Sequence, residues 1–309
     1  MISADTFPSP DRIYTFAEGQ PLTPEQEEEV AARRKFAEWQ ADEANRQVAR
    51  LQDLPTPPDA VEWARTHQLI LEWRHNLGVG WSDQKVIETR HNLLTPISDD
   101  NPNIDRFGDL GRFRIGSVWD EHTKTFVGGD LSRAGRALIA ASERIHTRMN
   151  EAGVDEELQN VVQLPDGTEV NGNKLFRGET ARRIWESLRT RLERRGIDAS
   201  EFEMGDDIVL AQTAARADRI RIFQAVVKEL ARLSLQPEMW TPHTSINRSY
   251  LLFQAPKNKR GSAASTPTFN ATGDAYLTDN PVTLPPNADL YAATTAQDDY
   301  IDHVRDYNT

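Results

Sequence analysis

Long stretches in which apolar residues recur at helical spacing, each closed by proline or glycine, constrain this chain's fold more than any other feature. The clearest begins at Thr23, with Pro24 in the first turn and Gln26 three residues on, the pattern of a capping box. Glu25, Glu27, Glu28 and Glu29 follow at the positive end of the helix dipole, where carboxylates are stabilised. The apolar positions Val30, Phe36, Trp39, Val48 and Leu51 are sparse, so one narrow face is buried and the rest faces water or another subunit. The Pro-rich run ending at Pro58 stops this helix near residue 54.

The same reasoning predicts helices over 59–76, from about 82 to just before Pro96, from Asp130 or Ser132 to Gly153, over 179–195 and over 206–234. Residues 246–254 fit a short helix and 297–307 a terminal one. Between them, 113–127 and 161–170 read as hairpins, the second marked by Pro165-Asp166-Gly167, and 98–111 reads as loop. Residues 1–21 carry prolines and no helical period, and read as an extended arm. From 255 to 288 the chain turns to Ser, Thr, Asn, Gly, Pro and Ala, and this too reads as an arm. The expected fold is mainly α: a helical core over 22–254 with two small β-hairpins, an N-terminal arm, and a low-complexity C-terminal arm over 255–309.

Composition narrows the chemistry. At 309 residues the chain can bury a sizeable core, yet only 38% of it is apolar and mean hydropathy is −0.63. A formal net charge of −12 argues against a general nucleic-acid or membrane binder, though a local basic patch could serve. With no cysteine there are no disulfides, thiolate nucleophiles, iron–sulfur clusters or cysteine-ligated zinc. The N-terminus lacks the pattern of a signal peptide and no apolar run approaches a membrane span, so a cytoplasmic location, or one inside an assembled particle, is expected.

Glu-x-Arg-His-Asn-Leu occurs twice, at 72–77 and 88–93, setting Glu72 beside His75 and Glu88 beside His91 on helices; Glu143 and His146 repeat the spacing. Glu-x-x-His pairs of this kind resemble those of ferritin-like di-iron bundles. The first two copies are too close in sequence for the long antiparallel helices such a centre needs. Both also sit where a helix is expected to end, where Arg and His complement the dipole and Asn favours the exit turn. A di-metal carboxylate protein is the third reading, and no cofactor is expected.

Leu175-Phe176-Arg177-Gly178-Glu179 resembles the strand-borne arginine of ADP-ribosyltransferases, and His243-Thr244-Ser245 that family's serine element. The resemblance implies an effector enzyme acting in the cytosol and transferring part of a nucleotide, with Arg177 and Ser245 in its site. The family's following glutamate has no counterpart, since none follows Glu238; Asp298 or Asp299 would have to stand in.

Lys257, Lys259 and Arg260, with Arg248 nearby, form the most basic cluster, and Gly261 and Ser262 offer backbone groups that could approach a phosphate closely. They suit nucleic acid or an acidic face of a neighbouring subunit. Trp39, on an otherwise polar helix, suits a partner anchor. The leading expectation is a non-enzymatic coat- or shell-like assembly subunit that self-associates through its arms and contacts nucleic acid through the basic loop.

Overall fold

Thr23 does cap the first helix. Its hydroxyl accepts the Gln26 amide (3.4 Å) while Gln26 Oε1 accepts the Thr23 amide (2.9 Å), closing a capping box at the head of α1, Pro24–Gln52. Asp59 caps α2, Ala60–Asn76, by accepting the amides of Val61 and Glu62, each at 2.9 Å. A computed structural model describes residues 1–7, 21–77, 92–123, 125–194, 196, 202–203, 207–278 and 280–309. Most of the helix expected over 82–95, with Glu88 and His91, lies outside them.

The chain continues through β1 (Ile104–Phe107), β2 (Arg114–Ile115), β3 (Val118–Asp120), β4 (Thr125–Val127) and β5 (Asp130–Leu131) into α3 (Arg133–Glu151). Strands β3 and β4 are the expected first hairpin, Trp119 opposite Phe126, and β2 pairs with β5. Ser132 caps α3 by accepting the Gly135 amide, and the chain leaves it through Gly153 at φ 65°. Next come β6 (Glu157–Gln163), β7 (Glu169–Phe176), α4 (Gly178–Glu193), β8 (Val209–Gln212), α5 (Arg216–Leu235), α6 (Pro242–Gln254), α7 (Ser262–Leu277), α8 (Ala288–Thr294) and α9 (Gln297–Tyr307).

The largest sheet runs β1-β8-β7-β6, antiparallel throughout. Its two-residue alternation decides what covers it. Leu175, Val209 and Ala211 meet Leu138, Ala141, Ile145 and Met149 of α3, whereas Phe176 and Leu210 point the other way and meet Ala181 and Trp185 of α4. Toward its turn, the β6–β7 hairpin sends Val162, Leu164 and Val170 into a second core, built by α2, α5, α6, α7 and α9 around Trp63, Ile70, Leu230, Tyr250, Phe269 and Tyr300.

The mainly α fold with small sheets is as expected, and three local expectations are corrected. The segment over 206–234 is not one helix: Val209–Gln212 is a central strand, buried on both sheet faces and therefore without a polar alternation to announce it. The loop expected over 98–111 contains the edge strand β1, paired from Ile104 opposite Gln212 to Phe107 opposite Val209. The supposed arm over 255–288 contains α7, buried from Ser265 to Asp274 apart from the half-buried Pro267. Helix α9 forms where a terminal helix was expected.

At the other end, residues 1–7 lie against α1. The Ile2 amide donates to Asn45 Oδ1 (3.0 Å), Asn45 Nδ2 donates back to the Ile2 carbonyl (2.8 Å), and Ile2 and Phe7 are buried beside Ala37, Ala41, Ala44 and Ala271. The remainder of the expected N-terminal arm, 8–20, lies outside the described residues.

Candidate ligand-binding cleft

Helices α1 and α7 are drawn together by small residues. Ala37, Ala41 and Ala44 recur at helical spacing on one face of α1, and Ala271 answers from α7. Gln40 Nε2 donates to the Ala264 carbonyl and to Thr268 Oγ1, both at 3.1 Å. Toward the N-terminal ends of both helices the walls diverge, and a cleft of about 740 Å³ opens. Phe36, Phe113, Phe253, Pro267, Pro285 and Pro286 give it apolar walls, and Phe7 reaches it from the N-terminal segment.

Three arginines line this cleft, against the carboxylates of Glu29 and Asp289. Arg33 pairs with Glu29 one turn away at 3.1 Å. Arg74 lies over the Phe36 ring, 5.1 Å from its centroid, and Phe36 stacks on Trp73; burial lowers the Arg74 pKa. Arg260 is exposed and has no hydrogen-bond or ion-pair partner among the described residues.

Arg260, Ala263, Phe253 and Asp289 also line a smaller adjoining cavity of about 170 Å³ against the sheet. Its polar wall is largely engaged in holding the backbone. The Asn173 amide donates to Gln254 Oε1 (3.0 Å), Asn173 Nδ2 to the Ala293 carbonyl and Gln254 Nε2 to the Ala292 carbonyl (both 2.6 Å). A Cβ on Gly172 would meet Gln254 Oε1 at 2.8 Å, so glycine is what lets the hairpin approach α6 here.

The expected basic cluster divides three ways. Arg248 is fully buried and paired with Asp274, a contact joined by Ser245 and Asn270, so it belongs to the core and not to an exposed patch. Lys259 Nζ donates to the carbonyls of Asn101 and Pro102, tying down the loop ahead of β1. Burial and the nearby Arg191 and Arg219 cations push its pKa down to about 8. Lys257 is exposed and donates to Gln68. Only Arg260 remains turned to a cavity with its charge unengaged.

Arg177 and Ser245 are not brought to this cleft. Arg177 donates to the carbonyls of Val154 (2.8 Å) and Asp155 (2.7 Å) and to Asn150 Oδ1 (2.6 Å), clamping the turn after α3 to the end of β7. Ser245 is fully buried and donates to Asp274 Oδ2 at 2.6 Å. Glu72 accepts from Gln68 on α2, and His146 pairs with Asp207 at 3.1 Å. Among the described residues no three His, Asp or Glu side chains come together as metal ligands. Trp39 is 41% exposed on α1.

Sequence reasoning reached Arg260 through its basic neighbours but missed Arg33, Arg74 and Asn287. Two arginines on polar helix faces read as solvated, and only the approach of α7 makes them line a cavity. The Pro-Pro-Asn run at 285–287 was the one local signal, since Asn after prolines marks a tight turn. No protein-family model matches the chain, and comparison with the curated proteins finds no match to it.

Proposed function

We propose that this protein binds a small anionic molecule with an apolar or aromatic body in the cleft between α1, α7 and residues 284–289. What supports the reading is the union of aromatic and proline walls with Arg260, an unengaged cation at the junction of two cavities. A cleft of this size, mostly apolar with a few convergent polar groups, is the usual form of a small-molecule site. An anion there gains charge-assisted hydrogen bonds from the guanidinium while its body leaves water against Phe36, Phe113 and Phe253.

Thermal denaturation against a panel of nucleotides, sugar phosphates and acyl carboxylates tests this. A ligand at about a hundred times its Kd stabilises by about 2.7 kcal/mol, enough to raise the melting temperature visibly. Arg260→Ala is expected to remove the shift, weakening binding about tenfold or more. A panel without a stabilising anion, or hits indifferent to Arg260→Ala, would sink the proposal.

A second reading, self-association as an assembly subunit, is favoured by the exposed Trp39 on a largely solvated helix. It loses the support of a C-terminal arm, since α7 is core. Light scattering on the eluted protein at low and high salt decides it: large particles broken by Trp39→Ser support assembly, and a monomer of 34.9 kDa at both salts rejects it. Nucleic acid retained in such particles and lost with Lys257 or Arg260 would extend the reading to the basic loop. Among the described residues no helix is long and apolar enough to cross a membrane.

A further inference from the structure

A second feature lies beside α4, whose Ala181 and Trp185 pack against the sheet. An open groove of about 390 Å³ runs between this helix and the residues entering the edge strand β1. Pro102 and Ile104 on one side, and Ile184 and Leu188 one helical turn apart on the other, give it apolar walls. Arg183 and Arg191 are its charged residues, and among the described residues no carboxylate lines it. Both arginines are positioned without being neutralised. Arg183 donates to Thr180 Oγ1 (2.9 Å) and Arg191 to the Asp100 carbonyl (3.4 Å), and neither forms an ion pair among the described residues. The glutamates of α4 that do pair, Glu179 with Arg182 (3.9 Å) and Glu193 with Arg189 (3.6 Å), meet arginines outside the groove.

A chain of net charge −12 thus keeps two uncompensated cations beside an apolar groove. By charge complementarity such a surface fits an acidic segment that also offers an apolar side chain. The chain carries one. The head of α1 sets Glu25, Glu27, Glu28 and Glu29 within five positions. Glu27 and Glu28 are exposed, and Val30, three residues after Glu27 and on its face, is 40% exposed. Since both carboxylates face solvent in the single chain, they do not fill the groove of their own copy.

We propose that the groove between α4 and β1 receives the acidic head of α1 from a second copy of this chain, Glu27 and Glu28 meeting Arg183 and Arg191 while Val30 covers Ile184 and Leu188. Donor and acceptor are different surfaces, so the contact is head-to-tail: it closes as a reciprocal dimer or a ring, or it continues as a filament. The proposal rests on the self-association reading and adds the surfaces that meet; it uses neither Trp39 nor the cleft.

Sedimentation velocity of the full chain over a range of concentrations tests this, with two charge-reversed variants. Native protein is expected to associate at low salt and to dissociate as salt rises. Arg183→Glu with Arg191→Glu, and separately Glu27→Lys with Glu28→Lys, should each weaken association about tenfold or more. Mixed in equal amounts the two variants should associate again. The native acidic head of the first then meets the native groove of the second, and the reversed head meets the reversed groove. A variant that had merely misfolded would not be rescued in this way. Association that neither reversal weakens overturns the contact while leaving self-association in place, as does a loss that mixing fails to restore. A native protein that stays monomeric at every concentration and salt removes both.

Discussion

Helix α1 leaves most of its first thirteen residues exposed or half-exposed, whereas α7, packed along the rest of it, is buried over nearly all of its middle. Their compositions would suggest otherwise, since α7 is made of Ser, Thr, Asn, Ala and Gly with Phe269 as its one large buried apolar side chain. Its polar groups are answered partly within the helix and partly by its neighbours. Ser265, Thr268 and Thr272 each donate to the carbonyl four residues back, at 3.0, 2.8 and 2.8 Å. Asn270 and Asp274 are met by Arg248 and Ser245, and Asp274 also accepts from Trp240 Nε1 (3.1 Å) and the Val282 amide (3.1 Å). A helix of small residues whose polar groups all find partners can be buried by close approach, with hydrogen-bond satisfaction standing in for apolar area.

The largest expected effect comes from breaking that satisfaction. Arg248→Ala leaves the Asp274 carboxylate fully buried without its cation, and should cost about 3–5 kcal/mol in urea unfolding. Replacing the pair together, as Arg248→Met with Asp274→Leu, should recover only part of the loss, because it removes the unpaired charge but leaves Trp240 Nε1 and the Val282 amide without their acceptor. A single variant as stable as the native protein would show that α7 is not held this way.

His67 gives a pH-dependent form of the comparison. Burial, and then the charge of Lys257, push its pKa down to about 3, and its ring meets Phe223 and, edge-on, Phe269 of α7. In the unfolded chain the imidazole takes a proton near pH 6.5; in the folded protein it stays neutral until far lower pH. The unfolded state therefore binds more protons throughout that window, and stability falls as pH drops below 6.5, by about 2 kcal/mol at pH 5. His67→Leu should flatten this slope, and an unchanged slope would place its origin in the carboxylates.

Much of the architecture was legible because helices announce themselves by period and caps. Thr23, Asp59 and Ser132 all cap as their positions require, and Ala181, Trp185 and Leu188 mark the face of α4 correctly. The failures share a physical cause. Strand β8 is apolar on both faces and merges with the helix after it, and α7 has no apolar stripe because its burial depends on partners distant in sequence. The cleft was half legible for the same reason: Arg260 announces itself among cations, whereas Arg33, Arg74 and Asn287 become a site only when α1, α2 and the 284–289 turn converge.

A smaller effect is expected at the contact between the two helices. Thr268→Val keeps the shape of α7 but removes the hydroxyl that Gln40 Nε2 shares with the Ala264 carbonyl. Since Gln40 retains that carbonyl, the cost should be about 1 kcal/mol, read from the urea midpoint at constant m.

At the exposed end of α1 the same arithmetic should nearly vanish. Glu27 and Glu28 face solvent, where single substitutions generally stay within about 0.5 kcal/mol. Glu28→Ala should therefore be almost silent in the isolated chain, whatever its dipole interaction, which salt screens. A loss above about 1 kcal/mol that depends on protein concentration would mean that this half of α1 is covered by another copy. It would then be solvent-facing only in the monomer, and the contrast with α7 would be one of partner, internal for the buried helix and external for the exposed one.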